Sequence, residues 1–407
     1  MIKNIEVDAA CALLFDCPAA PGVETVALID APGRVVSSDV LAKIPVPPFD
    51  RSPYDGYAFR GEDTLGASRA SPAVLKITED IPAGTQSRFE VKPGSAAKIL
   101  TGAPIPKGAD STIKYEYTEF TDSEVRFFKP IEPGTDIVLA GSDVMPGAVL
   151  ASKGAVIVSP IVSSLANQGF ANVEVFKKPV ITVISTGSEL CDVGEPLRPA
   201  AIYNSNTHTL SAYLGGFGAV PVNGGVVADE PELIAAAIGS ALKVSDMVIT
   251  TGGASVGDYD WAVKSAEILG AEILFWKASL RPGGAMLAAV KDGKVLLSLS
   301  GNPAAAVIGL LRVAAPYLKK LCGRSECFFP EVDVELCEPF KKSSPKTRVL
   351  RGKLEISGGR AYFRESSSQG SEAVSALVGC DLLGEIPMGS EPLPAGTMIK
   401  AYRIDVS

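Results

Sequence analysis

The run "TTGGASVGDYDW" at 250–261 holds three glycines, a serine and two aspartates, directly behind the apolar "DMVI" at 246–249. Glycine lets a backbone approach a ligand closely and take positive φ, and free N–H groups at helix starts attract anions. Gly252, Gly253 and Gly257, with Ser255 between them, therefore fit a loop that cradles a phosphate or a pterin. Taken singly, such a loop is equally an ordinary tight turn between strand and helix. The acids Glu189, Asp229, Asp258 and Asp260 fall at expected strand ends or helix starts, where a helix N-cap would account for any one of them. Gathered around a phosphate, carboxylates are unfavourable unless a cation joins them, so the set implies Mg²⁺ bridging the acids and a pyrophosphate. In "FWKASLRPGG", Lys277 and Arg281 stand four residues apart, a spacing that aims two cations at one ligand or leaves two solvated charges.

The elements that must position these residues alternate strand and helix patterns. "PVITVIS" (179–185), "DMVIT" (246–250) and "KVLLSLS" (294–300) read as buried strands, each followed by a glycine turn: "STGSEL", "TTGGASVGDYD" and "SGNPAAA". Helical patterns at 207–214, 230–242, 261–269 and 303–318 lie between or after them, with Asp229 a possible N-cap and Pro303 a helix start. In a doubly wound sheet the carboxyl ends of the strands share one edge and ligands bind in the crevice there. The three turns should converge on one site.

The expected architecture is multidomain α/β plus β. A central doubly wound parallel α/β domain spans 178–326, and a mainly β module, rich in Pro and Gly, spans 46–141. A mixed bridging domain is built from 1–45 and 142–177, and a small β-barrel-like domain covers 327–407.

Composition narrows the chemistry. The 407 residues are 46% hydrophobic and 21% charged with net charge −8, and no Lys/Arg run exceeds two, so the cationic footprint for nucleic acid or an anionic membrane is missing. No segment approaches a bilayer-spanning apolar length, and the N-terminus lacks a signal-peptide pattern, so a cytoplasmic protein is expected. Seven cysteines without a C-x-x-C pair fit reduced thiols and give no zinc framework. One histidine, His208, on an expected helix start, is better suited to a structural or surface role than to a Ser-His-Asp or Cys-His mechanism. Carboxylate, hydroxyl, amide and cation chemistry remain.

Together "FDRSPYDGYA" (49–58), "ILTGAPIPKGAD" (99–110), "STGSEL", "TTGGASVGDYDW" and "SGNPAAA" resemble the molybdopterin molybdenumtransferases, the molybdate-inserting enzymes of molybdenum cofactor synthesis related to the C-terminal domain of gephyrin. The resemblance runs over essentially the whole chain. It implies an elongated homodimer of four-part subunits whose substrates are molybdate and adenylylated molybdopterin, with AMP released in a Mg²⁺-dependent step. Asp55, Thr101, Asp143, Glu189, Asp229 and Asp260 match the family's polar site residues, with Asp229 and Asp260 as the metal pair. Substrate contacts fall on Gly252, Gly253, Ser255, Gly257, Lys277, Arg281, Ser300 and Pro303, and Arg351 and Ser371 match residues implicated in holding molybdate. A molybdopterin adenylyltransferase upstream, and molybdoenzyme apoproteins or their chaperones downstream, are the implied partners.

The chain departs from the family where K-P-G-K-P is replaced by "RPGGA" (281–285), losing a cation and a proline. It departs again where P-G-N-P-V-S becomes "SGNPAA", with Ser300 for proline and Ala305 for a hydroxyl. A nucleotide-cleaving or adenylyltransferase relative sharing only the α/β domain would lack the D-G-Y-A and T-G-A-P segments. A non-enzymatic scaffold like gephyrin's anchoring role would have no need of the acids.

Overall fold

The computed structural model describes residues 1–253 and 261–404. It divides into two compact units, one of Met1–Ser38, Lys153–Val158 and Asn172–Ser407, the other of Asp39–Ser152 and Ser159–Ala171.

The first unit is organised by a seven-stranded sheet in the order Val220–Val227, Val180–Thr186, Met247–Thr251, Lys294–Leu299, Leu287–Lys291, Glu272–Ala278, Ile2–Ile5. Its first four strands are parallel, while Leu287–Lys291 runs antiparallel to both neighbours. Period-two alternation sends Ile181, Val183, Met247, Ile249, Leu297 and Leu299 to one face, against Leu210, Leu214, Phe217 and Leu318. Ile184, Val248 and Leu296 go to the other, against Ile234, Ile238 and Ala266. Apolar side chains on both faces explain why these strands read as continuous hydrophobic runs.

The chain leaves Val180–Thr186 through helix Ser205–Phe217 to one neighbouring strand. It then crosses through helix Pro231–Leu242 to Met247–Thr251 on the other side of Val180–Thr186. That reversal opens a crevice at the carboxyl ends of Val180–Thr186 and Met247–Thr251.

Ile2–Ile5, read from sequence with the bridging segment, pairs parallel with Glu272–Ala278. Helix Val7–Phe15 follows it, burying Val7, Ala10 and Leu14 as one helical stripe in the α/β core. In helix Ser205–Phe217, His208 is exposed, as its sequence context suggested.

Five strands, Thr347–Ser357, Arg360–Glu365, Glu331–Leu336, Met398–Arg403 and Leu382–Ile386, close on themselves because Thr347–Ser357 pairs with both the second and the last. This small barrel carries Val334, Leu350, Phe363 and Ile399 inside. Leu280–Arg281 pairs parallel with Thr347–Arg348 and so ties the barrel to the α/β part.

The second unit contains a six-stranded sheet in the order Ser111–Lys114, Gly56–Phe59, Ser95–Ile99, Ala73–Ile81, Glu124–Phe127, Thr118–Phe120, with Tyr57, Phe59, Val125 and Phe127 in its core. All seven cysteines are free. Among the described residues, no helix is long and apolar enough to cross a membrane.

Candidate active site

The expected convergence of the three glycine turns is realised. Register pairs Ser185 with Thr251 and Thr251 with Leu299, which levels the carboxyl ends of three strands. The loops beyond them line a cleft of about 810 Å³ that includes Thr186, Glu189, Asn206, Asp229, Gly252 and Ser300.

Gly252 is indispensable locally. Its φ is +97°, and a Cβ there would lie 2.3 Å from the carbonyl oxygen of Thr186. Only a residue without a side chain lets this loop cross so close to the neighbouring strand. Gly253 and Trp261 both line the cleft, and the Trp261 N–H donates to the Gly253 carbonyl at 3.2 Å. The sequence between them, with Ser255, Gly257, Asp258 and Asp260, lies outside the described residues.

The cleft floor is a hydroxyl and amide network. Asn206 Nδ2 donates to Thr251 Oγ1 at 2.7 Å and to the Gly301 carbonyl at 2.8 Å, and Thr251 Oγ1 donates to the Ser300 carbonyl at 3.1 Å. Two buried polar atoms, Thr186 Oγ1 and Asn206 Oδ1, have no partner among the described residues. Buried groups left unpaired are costly, and a polar ligand in the cleft would satisfy them.

Glu189 and Asp229 are exposed on the cleft wall. Asp229 is not the helix cap the sequence suggested. The cap position of Pro231–Leu242 is Glu230, without a side-chain cap bond, which leaves the Asp229 carboxylate in the wall.

A second cleft of about 600 Å³ adjoins the first and shares Ala285, Ser300, Asn302 and Glu372 with it. Three cations, Arg281, Lys342 and Arg348, line it together with Gln369 and Ser371. Asn302 Nδ2 donates to Ser371 Oγ at 3.4 Å, and the Ala305 N–H, in the first turn of helix Pro303–Gly309, donates to the Ser371 carbonyl at 3.1 Å. These contacts hold the barrel loop against the α/β edge.

Two residues expected at the anion stand elsewhere. Lys277 is absent from both cleft linings. Its φ is +66° and its ammonium lies 4.0 Å from the ring centre of Trp276, so the spacing to Arg281 does not pair the two cations. Arg351 is 0% exposed. Its Nη1 donates to the Gly370 carbonyl at 3.0 Å, Nη2 to the Ser368 carbonyl at 3.2 Å and Nε to Gln369 Oε1 at 3.4 Å. The guanidinium fork closes on the loop that carries Ser371, and burial pushes its pKa down. Arg351 positions that loop and does not line the cleft.

Residues that the sequence reading passed over are Thr186, Asn206, Asn302, Lys342, Arg348, Gln369 and Glu372. Strand geometry held a signal for Arg348: three residues before Arg351 in an extended strand, its side chain leaves on the opposite face.

In the second unit, Gly56 pairs with Ile99, which brings Asp55 and Thr101 together at the strand ends. Asp143 is exposed next to the Val46–Val144 bridge of the same unit, and its N–H donates to the Val46 carbonyl.

Family models match along the chain: "MoeA N-terminal region (domain I and II)" over residues 5–169, "Probable molybdopterin binding domain" over 182–320 and "MoeA C-terminal region (domain IV)" over 333–404. The molybdopterin molybdenumtransferase of Staphylococcus aureus strain Mu50 is 36% identical over 91% of this chain and 89% of its own. The chain belongs to the molybdopterin molybdenumtransferase family. The Bacillus subtilis strain 168 member is 34% identical over 94% of this chain and 90% of its own. The solved molybdopterin biosynthesis MoeA protein of Pyrococcus horikoshii superposes with a TM-score of 0.85 at 31% identity, covering 98% of this chain and 99% of that one. The match to this transferase family therefore includes the N-terminal and barrel regions as well as the α/β domain.

Proposed function

We propose that the two adjoining clefts insert molybdate into the dithiolene of adenylylated molybdopterin, with release of AMP. The observation that carries this is their shared wall: a roomy polar cleft at the strand edge continues into one lined by three cations. The first offers hydroxyls, amides and glycine backbone to the pterin and its phosphates. The second offers guanidinium and ammonium groups with a serine hydroxyl to a tetrahedral dianion, which suits charge-assisted, forked hydrogen bonding.

Glu189 and Asp229, as hard oxygen donors on one cleft wall, fit a Mg²⁺ ion, with Asp260 as a third candidate from the adjoining sequence. When bound, the ion would neutralise charge on the departing phosphate. The chain's own residues orient the reactants: Asn206 and Thr251 fix the cleft floor, and Ser371, braced by Asn302, faces the oxyanion.

The test is AMP release from adenylylated molybdopterin by the purified protein, titrated with molybdate and Mg²⁺. Release that rises with molybdate is expected, and release indifferent to it would overturn the reading. We further propose a homodimer in which each chain contributes Asp55 to its partner's chemistry. Mixed Asp55→Ala and Asp229→Ala subunits should then recover activity, and no recovery despite demonstrated exchange would count against sharing.

A further inference from the structure

Arg281 and Arg348 are register partners in the parallel pairing of Leu280–Arg281 with Thr347–Arg348, and both line the cationic cleft. Like charges held opposite each other across paired strands are destabilising. Burial first, and then the neighbouring Arg281 guanidinium, lower the Arg348 pKa. Arg348 Nε is buried with no hydrogen-bond partner among the described residues, and its guanidinium lies 5.5 Å from the ring centre of Phe340. Lys342 adds a third positive charge to the lining, where Glu372 is the one acid among the described residues. Two cations in register, with an unpaired buried N–H on one of them, make a site arranged for an anion.

We propose that Arg348 is an oxyanion ligand of this enzyme, closing with Arg281 on the same tetrahedral dianion. This inference rests on the reading of the cationic cleft given above and assigns it a residue. Arg281 and Arg348 come from different parts of the chain, and the strand pairing brings them side by side at the cleft. Arg351, behind them, keeps the Ser371 loop in place.

The test is direct calorimetric binding of molybdate to the full chain at fixed low salt, with tungstate and sulfate as comparison probes and AMP as a control ligand. Arg348→Ala should raise the molybdate Kd about tenfold or more, the loss of one charge-assisted contact, while AMP affinity stays within about twofold. Arg348→Lys should recover only part, because a single ammonium replaces the fork. If Arg348→Ala fails to fold, Arg348→Gln carries the same expectation. Unchanged molybdate binding in the Ala or Gln variant, with weakened binding in Arg281→Ala, would overturn the role of Arg348 and leave the cleft reading intact. Unchanged binding in both arginine variants would overturn the two together.

Discussion

Asp55 Oδ1 accepts two hydrogen bonds from Thr101, one from its N–H at 2.8 Å and one from its hydroxyl at 2.7 Å. The backbone donor first, then the hydroxyl, holds the Asp55 carboxyl below the usual aspartate range. A depressed carboxyl favours the native state above its unfolded pKa, and that contribution is lost as pH falls through the lower folded value. Thr101→Val keeps the shape and the backbone donor but removes the hydroxyl. The Asp55 pKa should then rise toward the ordinary value, moving the acid limb of the pH–rate profile to higher pH. An acid limb in the same place would show that the hydroxyl does not set Asp55's ionisation.

Arg351 and Arg348 should separate stability from binding. Arg351→Ala deletes three hydrogen bonds from a buried guanidinium and opens a cavity, at a cost of about 3 kcal/mol or more. Its molybdate affinity should fall too, because the Ser371 loop loses its anchor. Arg348→Ala should weaken molybdate while shifting Tm by no more than about 2 °C. Urea unfolding beside molybdate titration decides it: an Arg351→Ala protein of unchanged stability would refute the anchoring role.

Restoring the lysine that the family pattern carries at position 284 should fail. A Cβ on Gly284 would lie 2.4 Å from the carbonyl oxygens of both Ala278 and Leu280, and backbone atoms cannot step aside as a flexible side chain can. Gly284→Lys is expected to lose about 2 kcal/mol of stability or more without tightening molybdate. A stable variant with a lower molybdate Kd would show that the loop has room and that the cation there was simply missing.

Lys319 lies 7% exposed with its ammonium 3.7 Å from the ring centre of Phe329, and burial, followed by Arg324, pushes its pKa down to about 8. Between about pH 8 and the ordinary lysine range near 10.4, the unfolded chain binds the proton more tightly, so native stability rises with pH through that window. Lys319→Met removes this dependence. Thermal unfolding of both proteins from pH 7 to 10.5 should show the parent gaining on the variant above about pH 8. A constant difference would mean that Lys319 titrates normally.

Sequence by itself determined the parts governed by local periodicity. The β-branched and aliphatic runs at 179–185, 246–250 and 294–300 call for strands covered on both faces, and a turn that must cross a neighbouring strand as closely as Gly252 does has to be glycine. The polar cleft was legible for that reason, down to Glu189, Asp229 and Ser300. The cationic cleft was not. Strand alternation puts Arg348 and Arg351 on opposite faces, but which face meets the cationic cleft is set by the pairing of Thr347–Arg348 with Leu280–Arg281, a contact between segments far apart in sequence. Closure of the barrel then buries Arg351 against the carbonyls of its own loop, and brings Lys342, Gln369 and Glu372 to the edge of the α/β sheet. Spacing along a chain fixes the direction in which a side chain leaves the backbone, whereas tertiary packing decides whether protein, solvent or substrate lies in that direction.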